Sequence, residues 1–165
     1  MRQLKRDESF EEAFDELFAR AHQVALRVLG NHAAAEDVAA EALTRAFADW
    51  RRVKNLEYRE AWVLRVAANL AIDVCRRKRP EVAVTPVASE EDIVALRLTL
   101  AAALDRLPRR QRDAVSLHYL AGLTDVEVAN ALGIAVGTVK AHIHRGMNGL
   151  RVSLGDDFGR LHLAS

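Results

Sequence analysis

The stretch LTDVEVANALGIAVGTVKAHIHRG, residues 123–146, leaves the chain few ways to fold. Thr124 is placed to cap a helix, and Glu127, three residues on, completes a capping box. Val128, Ala129 and Leu132 give that helix one apolar face. Gly133 stops it, because glycine takes the left-handed turn without a Cβ clash. Ile134 and Val136 can plug the angle before a second helix, expected over about residues 137–150. At 100° per residue, Val139, Ile143, Met147 and Leu150 fall on one side and Gly137, Ala141, His144, Arg145 and Asn148 on the other. A greasy inner face and a small, polar, basic outer face suit a recognition helix entering the DNA major groove. The same pattern also fits a plain helical hairpin within a bundle.

The rest of the chain reads as helix too. Ala, Leu, Val, Arg and Glu dominate, only three prolines and eight glycines interrupt them, and no alternating strand pattern is present. Ser9 and Glu12 form another capping box ahead of Phe14, Leu17, Phe18, Ala21, Val24, Ala25 and Val28, an apolar face that ends at Gly30-Asn31. A second helix is expected from near Ala34 to about Arg51, burying Val38, Ala42, Ala46 and Trp50. After a polar loop, a third long helix covers about Arg59 to Lys78. Pro80 ends it, and PEVAVTPVASEED reads as a linker. Ser89 starts a further helix, and Pro108 is expected in the first turn of the next. The predicted fold class is all-α: two small helical domains, 9–79 and 90–152, joined by a flexible acidic linker at 80–89, the second containing the helix-turn-helix. Residues 153–165 are expected to form a frayed tail or a weak turn. Each domain is small for a stable core, so each is expected to lean on partners or on the other domain.

Charge is uneven along a chain whose net charge is only +1: residues 1–80 carry +2, residues 81–100 carry −3 and residues 101–165 carry +2. Such a protein can bind DNA through a local stripe, with modest affinity on its own. The single cysteine, Cys75, rules out an intramolecular disulfide and reads as a small buried hydrophobe. No apolar run approaches the ~20 residues of a membrane span. The acidic N-terminal stretch does not read as a signal peptide, so a cytoplasmic protein is expected. An enzyme is not expected. GIAVGTVK lacks the glycine-lysine pair of a phosphate loop, His142 and His144 point to different sides of their helix and make a poor metal pair, and no nucleophile–base motif is present. The sequence implies no cofactor.

On the third helix Trp62, Arg65, Asn69 and Arg76 share one face, with Asp73 beside them and Arg77 in the basic run RRKR that ends it. Val63, Val66, Leu70 and Val74 are expected on the adjacent buried side. An aromatic to stack on a base, an amide to read a base edge and arginines to hold phosphates suit an unpaired DNA strand. The plainer reading is a solvated face with Trp62 in the core and arginines that complement the helix dipole.

Together these pieces resemble the bacterial extracytoplasmic-function (ECF) sigma factors, small two-domain sigma subunits of RNA polymerase. AEDVAAEALTRAF resembles the family's polymerase-binding segment, WVLRVAANLAIDVCRRKR its segment for the promoter −10 element, and residues 107–145 its −35-binding domain. The resemblance implies that Asp37 and Glu41 grip core polymerase and that Asn69 sits in the pocket for a flipped −10 base. It also implies that Lys140, Ala141, His144 and Arg145 meet the −35 element in the major groove. Core RNA polymerase, promoter DNA and an anti-sigma factor are the implied partners. The chain departs from the family pattern at Ala40, where a glutamine is usual, at Lys140-Ala141, at His144, and at Gly146 and Gly149, which are expected to weaken the helix end. Two rival readings are a stand-alone helix-turn-helix regulator, and a helical protein that binds polymerase without reading DNA.

Overall fold

The computed structural model describes residues 9–78 and 90–155, all of whose regular structure is helical. The linker expected at 80–89 and the tail beyond residue 155 lie outside the described residues. In α1 (Phe10–Leu29) the capping box forms as read: the Glu12 N–H donates to Ser9 Oγ at 3.2 Å and the Ser9 N–H to the Glu12 carboxylate at 2.9 Å. Gly30 closes the helix at φ +65°. Helix α2 (His32–Ala48) starts earlier than its apolar periodicity predicted, because Asn31 Oδ1 accepts the Ala34 N–H at 2.9 Å and caps it. It also ends earlier, at Asp49; a single turn, α3 (Trp50–Val53), carries the chain on to α4 (Arg59–Arg77).

Helices α1, α2 and α4 pack as a three-helix unit on alanine-rich faces, with Ala21, Ala25, Ala39, Ala42, Ala67 and Ala71 almost fully buried. Short side chains let the helix axes approach closely, and Leu43, Val63 and Ile72 fill what remains.

The second half holds α5 (Glu90–Arg106), α6 (Arg109–Val115), α7 (Asp125–Leu132) and α8 (Val136–Leu154). Pro108 is the residue before α6 rather than inside its first turn, with an extended ψ of 139°. Helix α6 does not run on smoothly to Leu120. Residues Ser116–Leu120 widen into a π-helical turn, in which the Ala121 N–H reaches back to the Ser116 carbonyl at 3.1 Å. Within this turn Leu117 lies in the core while Tyr119 stays exposed. Helix α8 runs past its two glycines to Leu154. A Cβ at position 146 would stand 2.7 Å from Val115 Cγ2, and one at 149 would stand 2.8 Å from Leu107 Cδ2. These glycines, expected to weaken the helix end, instead let α8 lie close against α6 and the end of α5.

The two halves lean on each other. One apolar cluster joins Leu17, Ala71, Ile72 and Cys75 to Leu104, Leu107, Val115 and Leu150. Another joins Val24, Ala61, Leu64 and Ala68 to Ala114, Leu117, Leu123 and Val139. Helix α4 lies between α1 and α2 on one side and α5, the π-turn and α7 on the other. It is therefore buried on two faces: Ala61, Leu64, Ala68 and Ile72 are inside, while Val66, Leu70 and Val74, expected on the buried side, are only half-buried. Phe14, also expected inside, stands at the surface. Cys75 is buried as read, and its burial pushes the thiol above its ordinary pKa. Two cations reinforce the seam. Arg27 of α1 donates to the Leu120 carbonyl, and the Arg97 guanidinium lies over Gly30, at the negative end of the α1 dipole.

Candidate nucleic-acid interface

The helix-turn-helix is assembled by α7 and α8. In α7 Thr124 Oγ1 accepts the Glu127 N–H at 3.3 Å, and the Thr124 N–H donates to the Glu127 carboxylate at 2.8 Å. Two donors hold the Glu127 carboxyl below its ordinary pKa: the Thr124 N–H contributes most, and the Thr124 hydroxyl, which donates to the same carboxylate at 2.8 Å, comes next. Gly133, at φ +65°, turns the chain, and its N–H and that of Ile134 return to the carbonyls of Asn130 and Ala129. Buried Val139 then fixes the rotation of α8 about its axis. His144 and Arg145 point to solvent and Ala141 is half-exposed, as the helical wheel predicted; Lys140, which the wheel did not place on that face, is exposed beside them. Asn148 pairs with His144 Nε2 at 3.2 Å on the same face. The outer row is thus one-sided, basic, and free of bulky apolar groups.

On α4 the row Trp62, Arg65, Asn69 and Arg76, with Arg77 next to its end, is not equally open along its length. Arg76 and Arg77 are exposed at the helix end; Trp62, Arg65 and Asn69 are half-buried. The Arg52 guanidinium sits 5.6 Å from the Trp62 ring centroid, a cation–π contact that keeps the indole at the surface end of the core. Trp62 and Arg65 line a crevice of about 300 Å³ whose far wall is Leu117, Asn130, Ala131 and Leu132 of the second half.

Deeper along the helix, α6 supplies what sequence reasoning missed. Asp113 is 2% exposed, and its carboxylate faces α4. Asn69 Nδ2 donates to its Oδ1 at 3.4 Å, and Arg65 stands 3.8 Å from its Oδ2; Arg109 of its own helix is 3.9 Å away. One turn on, Asp105 of α5 pairs with Arg112 at 2.9 Å and reaches Arg76 at 3.6 Å, while Asp73 holds Arg76 from the other side at 3.0 Å. One signal could have found it: Asp113 lies on the apolar side of its helix, beside Ala114 and Leu117.

On α2 Asp37 and Glu41 are exposed one turn apart, Glu41 paired with Arg45 at 2.8 Å. Beyond them Phe47, 61% exposed, joins an aromatic group in which Phe10 meets Phe14, Phe47 and Trp50 at centroid distances of 5.0 to 5.7 Å. The apolar periodicity did not mark Phe47 as part of a cluster, because its contacts come from the start of α1. Among the described residues no group of three or more His, Cys, Asp or Glu is arranged to hold a metal, and no helix is long and apolar enough to cross a membrane.

Two helical units, the second ending in a capped helix-turn-helix, define the molecule as a helix-turn-helix protein. Residues 13–81 match the Sigma-70 region 2 family and residues 97–148 match Sigma-70, region 4. The chain is 34% identical over 169 residues to the ECF RNA polymerase sigma factor SigW of Bacillus subtilis, covering 90% of both proteins. It is 36% identical over 155 residues to SigL of Mycobacterium tuberculosis, covering 86% of both. Two solved structures share the fold at 22% identity. One is the Bartonella quintana sigma factor RpoE bound to the anti-sigma factor NepR (TM-score 0.52, covering 90% of this chain and 98% of that one). The other is CnrH bound to the cytosolic domain of CnrY (TM-score 0.53, covering 87% and 88%). The chain belongs to the ECF sigma factors, which act in transcription initiation.

Proposed function

We propose that this sigma factor binds core RNA polymerase in the cytoplasm and directs it to promoters by reading two elements with two helices. Helix α8 enters the major groove of the −35 element, with Lys140 and Arg145 on phosphates and base edges, His144 beside them, and Ala141 allowing close approach. Helix α4 takes the unpaired −10 strand: Asn69 reads an extruded base, Trp62 and Arg65 flank it, and Arg76 and Arg77 hold the backbone. Asp37 and Glu41 on α2 dock on the polymerase. The functional units are 9–79 and 90–152, and the segment 80–89 tethers them, so that anchoring one raises the effective concentration of the other. An anti-sigma factor is the expected regulatory partner. The protein supplies recognition, and the chemistry of RNA synthesis belongs to the polymerase.

The observation that carries this reading is the α8 face. A helix whose rotation is fixed by buried Val139 presents Lys140, Ala141, His144 and Arg145 together to solvent. Run-off transcription with purified core polymerase on genomic fragments tests it. Wild type should start transcripts at discrete promoters, and Asn69→Ala or Arg145→Ala should each reduce them. Stable association with polymerase but no initiation from any fragment would overturn the promoter-reading role. DNA binding without polymerase association would favour the stand-alone regulator.

A further inference from the structure

The outer face of α8 carries a chain of three side chains, two of which the promoter reading leaves unused. His144, Asn148 and Arg151 follow one another at spacings of four and three residues, so they line up along one side of the helix, and all three are exposed. Asn148 Nδ2 meets His144 Nε2 at 3.2 Å, and Arg151 Nη1 donates to Asn148 Oδ1 at 3.4 Å. The chemistry of these groups fixes which atom donates at each link. A guanidinium has donors only, so the Asn148 atom it meets is the carbonyl oxygen and not the amide nitrogen. The Asn148 amide nitrogen therefore faces His144. It too can only donate, so His144 Nε2 accepts, and a neutral imidazole that accepts at Nε2 carries its hydrogen on Nδ1. That is the tautomer a free imidazole side chain favours less in water. Nδ1 itself bonds to no other group among the described residues.

We propose that Asn148 and Arg151 are positioning residues for −35 reading: they lock His144 as a hydrogen-bond donor at Nδ1, so that at one position of the element it selects a guanine edge and rejects cytosine. The proposal rests on the reading of α8 as the −35 helix. In the major groove guanine presents two acceptors, N7 and O6, whereas cytosine presents a donor, its N4 amino group, and two donors cannot bond to each other. Adenine and thymine each present one acceptor and rank between. Without the relay the ring is free to take either tautomer, and it accepts from cytosine as readily as it donates to guanine. Arg145 and Lys140 take no part in the chain of bonds, so the preferences they set at other positions are independent of Asn148.

The test uses the full chain assembled with core polymerase, on a promoter found by run-off transcription whose −35 element is replaced by a randomised pool, with transcripts counted by sequence. Wild type, His144→Ala, Asn148→Ala, Arg151→Met and Arg145→Ala are compared, and circular dichroism checks that each is folded. Wild type should favour guanine over cytosine by about threefold to tenfold at one position, as suits a single side-chain–base bond. That preference should disappear in His144→Ala and largely disappear in Asn148→Ala, with the other positions unchanged, and Arg151→Met should fall between Asn148→Ala and wild type. Nitrogen NMR of the full chain labelled at histidine reads the tautomer directly. His144 should carry its hydrogen on Nδ1 in wild type and shift toward Nε2 in Asn148→Ala.

A preference lost in His144→Ala but kept in Asn148→Ala, or hydrogen on Nε2 in wild type, would overturn the relay and leave the reading of α8 standing. So would a cytosine preference at the position that His144→Ala alters. A uniform fall across all sequences in Asn148→Ala also overturns it, since that marks a backbone contact and not base selection. If neither His144→Ala nor Arg145→Ala changes any −35 preference, the reading of α8 fails, and the relay with it.

Discussion

On α8, Lys140, His144 and Arg145 stand in solvent; on α4, Arg65 and Asn69 lie half-buried against a carboxylate from the other half. Both helices were chosen from sequence by the same criterion, a polar row opposite an apolar one. The difference comes from position in the fold. Helix α8 closes the second half at its edge and needs burial on one face only. Helix α4 is the central helix, packed by α1 and α2 and again by α5, the π-turn and α7. A polar row on a central helix meets protein, and it then needs partners of opposite charge.

The largest effects should come from breaking the open reader. Arg145→Ala should reduce promoter-specific transcription by about tenfold to a hundredfold, corresponding to about 1–3 kcal/mol for a good side-chain–base pairing, as read by run-off assays on a fixed promoter. The same variant should weaken binding of the free chain to −35 duplex DNA. Asn69→Ala should leave that duplex binding unchanged, because α4 takes no part in it. Equal loss in the two variants would remove the distinction between the readers.

Next in size is the support under α8. Gly146→Val places methyl groups where Val115 Cγ2 already stands, and overpacking of this kind costs about 1–3 kcal/mol. Gly137→Ala, with open space around its Cβ, should be neutral or slightly stabilising. Thermal melts of the two variants should move in opposite directions or differ by several degrees. Gly30→Ala tests the seam from the side of α1. It forces a Cβ into the left-handed region and onto the Arg97 guanidinium, and should cost about 1 kcal/mol or more in the same measurement.

The smallest effect is a pH dependence in α7, which carries α8. The Glu127 carboxyl is held below its ordinary pKa of 4.5 in the folded chain, so the unfolded chain binds more protons in the interval between the two values. Its contribution is therefore complete above the ordinary carboxylate range and is lost as pH falls through the lower, folded value. Melts of wild type and Glu127→Gln should differ at neutral pH and converge in acid, and NMR titration should show the Glu127 carboxyl ionising below an exposed glutamate.

Capping boxes, apolar periodicity and glycine turns act within a few residues, which is why the sequence alone defined α1, α4, α7 and the outward face of α8. Ser9, Thr124, Gly30 and Gly133 do in the fold what local chemistry required of them. Local rules were weaker wherever a distant segment decided the outcome. The periodicity on α4 put Val66, Leu70 and Val74 inside, but a helix packed on two faces has no single apolar side. Gly146 and Gly149 read as weakening the helix end because propensity has no term for Val115 and Leu107 waiting where a Cβ would go. Asp113 was not singled out in the sequence at all. Only the tertiary structure brought its carboxylate to Arg65 and Asn69, because contact between residues 44 apart or more depends on how two helices pack and not on either helix by itself.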